Sequence, residues 1–113
     1  IRYSNQVLSF REMVAWFSIS DVMWIPSLRD GMNIICKEFI VAKEDASGTL
    51  ILSEFAGASV ELPEAILTNP YSSESMDMAI DRALRVEAMA KMIARQQEQD
   101  EDDDVEALLL GGY

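Results

Sequence analysis

Residues 21–43 read DVMWIPSLRDGMNIICKEFIVAK: an apolar strand, a short polar turn and a mostly apolar segment of helical length. The β-branched and aromatic residues of 21–26 favour a strand, and the turn at 27–31 ends on a glycine. A strand that enters a helix through such a turn places main-chain N–H groups and the positive end of the helix dipole at the carboxyl edge of a sheet. The stretch therefore predicts a site for an anionic ligand.

Two acidic residues frame this turn. Asp30 lies just before the predicted helix, Met32–Lys43, and Glu38 lies about two turns inside it. If the helix were continuous from Asp30 to Glu38, the two side chains would leave the helix in directions within roughly 80° of each other. Their carboxylates would be separated by about 12 Å along the helix axis. That spacing suits hydroxyl groups at opposite ends of a diphosphate. Taken alone, Asp30 is better explained as an Asx-type turn or N-cap, and Lys37 as a surface residue. For Glu38 the alternative is a solvent-facing acid, but its spacing from Asp30 and its apolar neighbours favour a position in a cleft.

The overall composition restricts the class of protein. The chain has 113 residues, is 50% hydrophobic and has a mean hydropathy of +0.05, which predicts one compact domain with a modest core. A formal charge of -11 without a basic cluster disfavours nucleic-acid binding. The single cysteine, Cys36, favours a reducing, cytoplasmic setting, and no apolar run is long enough to span a membrane.

Strands and helices are predicted to alternate along the chain. The predicted strands are Ile1–Ser4, Asp21–Pro26, Thr49–Ser53 and Ala65–Thr68. The predicted helices begin at Ser9, which has capping-box spacing to Glu12, at Met32, and at Ser72 or Ser73, the last reaching about Arg95. This order predicts an α/β fold with a parallel, Rossmann-like sheet of three or four strands.

The composition changes after Arg95. Residues 98–106 contain seven acidic residues and no basic one. Such a segment is typical of a solvated, disordered tail, and a metal site there would lack fixed geometry. We therefore predict a domain at 1–95, an acidic, disordered tail at 96–113, and no metal site.

Several strings resemble one family of enzymes. Ser27–Asn33 followed by Lys37–Phe39 resembles the donor-site signature of the retaining glycosyltransferases that include trehalose-6-phosphate synthase and glucosylglycerol-phosphate synthase. Further strings of that family follow in the same order, at Ser20–Val22, Leu52–Ala58, Glu61–Leu62 and Thr68–Tyr71. The similarity extends from residue 1 to roughly Leu84.

The resemblance implies a GT-B fold, in which two Rossmann-like domains face each other across a cleft. This chain would be the second half of the C-terminal domain, which holds the nucleotide sugar. By position, Asp30 would be the catalytic residue that accepts hydrogen bonds from the transferred glucose, and Glu38 would bind the ribose hydroxyls. The resemblance also implies that sugar and diphosphate meet the main-chain N–H groups of Gly31, Met32, Asn33 and Ile34.

The implied reaction moves glucose from UDP-glucose or ADP-glucose to a phosphorylated acceptor, giving trehalose-6-phosphate or glucosylglycerol-phosphate. No cofactor is implied beyond the nucleotide sugar. The acceptor would bind to an N-terminal domain outside this sequence, so the chain alone is expected to be inactive. The alternative is a non-catalytic remnant, or an interaction module whose acidic tail binds a basic partner. In either case an exposed sheet edge predicts self-association.

Overall fold

The computed structural model describes residues 1–43, 45 and 47–111. Three helices and three strands alternate, with one short 3-10 helix between the second and third strands. In chain order they are α1 (Phe10–Ile19), β1 (Val22–Ile25), α2 (Ile34–Ala42), β2 (Thr49–Ser53), the 3-10 helix (Gly57–Val60), β3 (Ile66–Thr68) and α3 (Ser73–Gly111). The predicted α/β class is confirmed.

The three strands form one parallel sheet in the order β1-β2-β3. In its register, Trp24 lies beside Ile51, and Ile51 lies beside Ile66. Because all three strands run in the same direction, their carboxyl ends meet at one edge of the sheet. The turns that follow β1 and β2 therefore become neighbours.

Helices cover both faces of the sheet. Leu50 and Leu52 of β2 pack on one face in a cluster with α1 and α2 that includes Phe17 and Phe39. Ile51 points to the opposite face, where it packs with a cluster from β3 and α3: Ile66, Ala79 and Ala83. Side chains alternate across a strand, so a central strand covered on both faces must be apolar throughout. This explains the continuous run Thr49–Ser53.

One predicted strand and the predicted start of one helix are wrong. Ile1–Ser4 is not a strand; these residues are exposed, and no strand among the residues described pairs with them. The second helix begins at Ile34 rather than Met32, because Asn33 has a φ of 70°, which a right-handed helix cannot contain.

The predicted disorder of the acidic segment is also wrong. α3 continues without interruption through this segment to Gly111, although every described residue after Arg95 is exposed. Gln96 donates to Asp100 and Gln99 donates to Asp103, at 3.1 and 3.0 Å, which are favourable pairs four residues apart on a helix. Good helix formers flank the run of aspartates, with Gln96–Gln99 before it and Glu106–Leu110 after it.

Three further properties concern the described part of the chain alone. None of its helices combines the length and apolarity needed to cross a bilayer. It contains no group of three or more Cys, Asp or Glu side chains placed to hold a metal ion. Cys36 is a free, buried thiol within the α1/α2 cluster.

Candidate functional site

A loop and a turn meet at the carboxyl edge of the sheet. The site loop, residues 27–33, leads from β1 toward α2, and the supporting turn, residues 54–58, follows β2. Asp30 and Ala56 form a parallel bridge between them. Three main-chain hydrogen bonds join the two segments: Asp30 N to Phe55 O (3.4 Å), Gly57 N to Asp30 O (3.0 Å) and Ala58 N to Met32 O (2.9 Å). The supporting turn therefore fixes the path of the site loop.

The Asp30 carboxylate is held within its own loop. Oδ1 accepts from the Met32 N–H at 3.1 Å, and Oδ2 accepts from the Asn33 side-chain amide at 2.9 Å. The Asn33 hydrogen bond, followed by that from Met32, holds the pKa of Asp30 below its ordinary value of 3.8, so the side chain is ionised near neutral pH. This is the Asx-type turn considered above. An ionised carboxylate offers about four acceptor positions, so capacity for ligand hydroxyls remains.

Asn33 joins the loop to the helix. Its Oδ1 caps α2 by accepting from the Cys36 N–H at 2.9 Å, while its amide nitrogen donates to Asp30. Asn tolerates the left-handed conformation that this position requires. One side chain therefore both starts α2 and orients the acid. The Cys36 thiol donates to Asn33 O at 2.9 Å, and its pKa is raised by burial, so the thiol stays protonated.

Glu38 lies in α2 and not in the site loop. It is half-buried in α2, four residues after the helix begins. The continuous helix assumed between Asp30 and Glu38 is wrong, since residues 30–33 are not helical. Two open clefts of about 540 and 570 Å³ are lined by other residues, and neither includes Asp30 or Glu38.

The remaining predicted site residues are accessible. Gly31 is exposed, and Met32 and Ile34 are 49% and 62% exposed. The Met32 N–H already donates to Asp30. The first N–H groups of any α-helix, in contrast, have no acceptor within the helix and can donate to a ligand. The loop thus brings together five of the six predicted residues, Asp30 through Ile34, next to the amino end of α2.

A residue near the loop, Lys37, was predicted to lie at the surface. Lys37 pairs with Glu61, so its ammonium is already engaged at the surface and the surface interpretation is favoured.

Phe55 and Tyr71 form an edge-to-face pair with centroids 5.5 Å apart, and the Tyr71 hydroxyl donates to Leu28 O at 3.4 Å. The sequence had not predicted this aromatic border, because its two members come from turns that follow different strands.

The parallel sheet, the helices on both faces and the loop at its carboxyl edge define an α/β half-domain of the Rossmann-like class. Residues 1–102 match the family described as glycosyltransferase family 20, and the chain belongs to that family. The match includes most of the acidic segment, well beyond the limit near Leu84 that the resemblance suggested. The predicted family is confirmed.

Individual relatives show the same kinship. The chain is 54% identical over 80 residues to the glucosylglycerol-phosphate synthase of Synechocystis sp., covering 71% of this chain and 16% of that protein. It is 43% identical over 84 residues to the trehalose-6-phosphate synthase of Mycolicibacterium vanbaalenii, covering 74% of this chain and 17% of that protein. The chain thus spans about one sixth of the length of these relatives.

A solved structure shares the fold. The crystal structure of an α,α-trehalose-phosphate synthase (UDP-forming) from Burkholderia vietnamiensis superposes with a TM-score of 0.70 at 43% identity, covering 74% of this chain and 19% of that one. The predicted placement of this chain within a GT-B C-terminal domain agrees with this likeness.

Proposed function

We propose that this chain is the donor-binding part of a retaining glucosyltransferase. The reaction would transfer glucose from UDP-glucose or ADP-glucose to a phosphorylated acceptor, and trehalose-6-phosphate or glucosylglycerol-phosphate would be the product. The main support is the Asp30–Ile34 segment, which is held at the carboxyl edge of the sheet in a chain that belongs to glycosyltransferase family 20. An ionised acid and a helix start there present both acceptors and donors to a sugar nucleotide.

In this proposal Asp30 accepts hydrogen bonds from glucose hydroxyls through the lone pairs that its own loop leaves unused. Main-chain N–H groups between Gly31 and Ile34 approach the sugar and the diphosphate, and Glu38 binds the ribose diol. Catalysis is then positioning and charge stabilisation rather than attack by a side chain. The acceptor would bind to a domain outside this sequence, so we infer that the chain alone is inactive.

Titration calorimetry tests the proposal directly. The full 113-residue chain is titrated with UDP, ADP and the two corresponding nucleotide glucoses. We expect a dissociation constant of about 1 mM for the matching nucleotide. Asp30→Ala and Glu38→Ala should lose this binding, because each removes a carboxylate acceptor.

The matched control is Asp104→Ala, which removes an equal charge from the exposed end of α3 and should bind as the wild type does. Heat of binding that survives both site substitutions would remove the site assignment. No binding by the wild-type chain would favour the alternative, a non-catalytic remnant or interaction module.

Three further parts of the proposal concern the surroundings of the chain. We infer a cytoplasmic location, in keeping with the free thiol of Cys36. We infer that the nucleotide sugar is used without a further cofactor. We also infer self-association through the sheet edges, since within the described part of the chain β1 and β3 each leave one side without a neighbouring strand.

A further inference from the structure

Gly57 lies where the supporting turn touches the site loop. Its main-chain N–H donates to the Asp30 carbonyl, and its α-carbon faces the main chain of Gly31. We propose that Gly57 is a positioning residue of the donor site, because only a residue without a side chain lets the supporting turn set the position of Asp30. This inference rests on the proposed function.

The contact leaves no room for a side chain. A β-carbon added at Gly57 would lie 1.9 Å from the Gly31 carbonyl oxygen, 2.9 Å from its carbonyl carbon and 3.4 Å from the Met32 α-carbon. These neighbours are main-chain atoms, so no rotation of a side chain can relieve the overlap. One of the two segments must move.

The site loop is the segment that would move. The supporting turn is fixed in the core by Ala56 and Ala58, which are buried within the α1/α2 cluster. Gly31, in contrast, is exposed, and a β-carbon placed on it would meet nothing within 4 Å. The loop can therefore shift outward into solvent, whereas a shift of the turn would disrupt close packing.

That movement would reach the donor site. The hydrogen bonds from Gly57 and Ala58 end on the carbonyl oxygens of Asp30 and Met32, which flank the displaced Gly31 carbonyl. Relief of the overlap requires a shift of about 1 Å, and a misplacement of that size can reduce the rate of a catalysed reaction by about 100-fold. Gly57 thus acts through the loop and does not touch the donor itself.

The test compares donor affinity with stability in four forms of the full chain. NMR titrations with UDP-glucose and ADP-glucose give the dissociation constants, and thermal melts give the stabilities, of the wild type, Gly57→Ala, Val60→Ala and Ile66→Val. Val60 is an exposed residue of the same 3-10 helix, and Ile66 is buried on the opposite face of the sheet. We expect Gly57→Ala to bind at least tenfold more weakly and both controls to bind as the wild type does.

The outcomes separate a positioning role from general destabilisation. Gly57→Ala with wild-type affinity would overturn this inference while leaving the proposed function intact. A loss in Ile66→Val equal to that in Gly57→Ala would also overturn it, because stability alone would then explain both. A wild-type chain that binds neither donor would overturn the proposed function and this inference with it.

Amide hydrogen exchange of the wild type covers the case in which Gly57→Ala does not fold. The Gly57 and Ala58 amides should exchange at least 10-fold more slowly than those of Tyr3 and Val7, which lie in the exposed first residues, because they donate to the site loop. Donor binding should slow them further. Exchange as fast as that of Tyr3 and Val7 would show that the turn does not hold the loop.

Discussion

Asp30 uses both of its carboxylate oxygens inside its own loop. Its residue type and place after a strand could be predicted from the sequence, but its partners could not. The Asn33 side chain donates to Asp30 from a residue in the left-handed conformation, which the sequence pattern did not predict. The role of Gly57 was not predicted, for a different reason. Its contact with Gly31 joins turns that follow two different strands, and no local sequence pattern indicates such a contact.

Removal of the Asn33 side chain should raise the pKa of Asp30. Asn33→Gly keeps the left-handed conformation without strain but removes the first of the hydrogen bonds that lower this pKa. NMR titration of the side-chain carboxyl carbons measures the effect. Asp45, whose pKa is lowered by hydrogen bonds from Ser47, is the internal control and should not change. An unchanged Asp30 pKa in Asn33→Gly would contradict the hydrogen-bond geometry.

The same shift has a defined pH dependence. Because the folded-state pKa of Asp30 is lowered, its hydrogen bonds contribute fully above the ordinary value of 3.8 and are lost as the pH falls through the lowered value. The Met32 amide signal should therefore report loosening of the site loop only in acid.

Among the elements, buried ones were easier to predict than exposed ones. β2 has the predicted bounds, Thr49–Ser53, because burial on both faces leaves a continuous apolar run. Ser9 caps α1 as its spacing to Glu12 indicates. Two errors fall on Ile1–Ser4 and on residues 96–111, which are exposed. The third falls at the start of α2, where Asn33 is left-handed.

Truncation after Arg95 should leave the domain as stable as the full chain. Every described residue beyond Arg95 is exposed, so the melting temperature should change by less than about 2 °C. That shift is smaller than the one that a change of about 1 kcal/mol in the free energy of unfolding would cause. Circular dichroism should show loss of helix signal in proportion to the residues removed. A large fall in melting temperature would show that the acidic part of α3 packs on the domain.

Truncation after Leu84 is the matched comparison. It also removes Glu87, which accepts from the Thr49 hydroxyl at 2.6 Å, and Lys91, which pairs with Asp21 at 3.1 Å. Both contacts attach α3 to the start of a strand. This shorter form should melt several degrees lower than the form that ends at Arg95.

The whole molecule is elongated. Its radius of gyration is 18.4 Å and its extents are 64 × 33 × 30 Å, whereas a compact chain of this length would have a radius of gyration of about 13 Å. The cause is α3, whose 39 residues extend about 58 Å. Gel filtration alone would therefore overestimate the mass of a monomer.

We expect the chain to self-associate reversibly, increasingly so at high salt. Trp24 on β1 and Leu67 on β3 are 43% and 48% exposed on the two edge strands, while the charge of -11 opposes association until salt screens it. Sedimentation equilibrium from 50 to 500 mM NaCl measures the mass independently of shape. Trp24→Lys should shift the population toward monomer. A wild-type monomer that melts in one sharp transition at every salt concentration would contradict the prediction.

The contact between the site loop and the supporting turn is made by peptide groups rather than side chains. Under the proposed function, engineering of donor preference would therefore begin with randomised libraries at positions 28, 29 and 32, whose side chains take no part in those hydrogen bonds. Position 57 should remain glycine in any such library, because a β-carbon there would overlap the main chain of Gly31. The architecture thus separates positions open to diversification from a position whose lack of a side chain preserves the loop geometry.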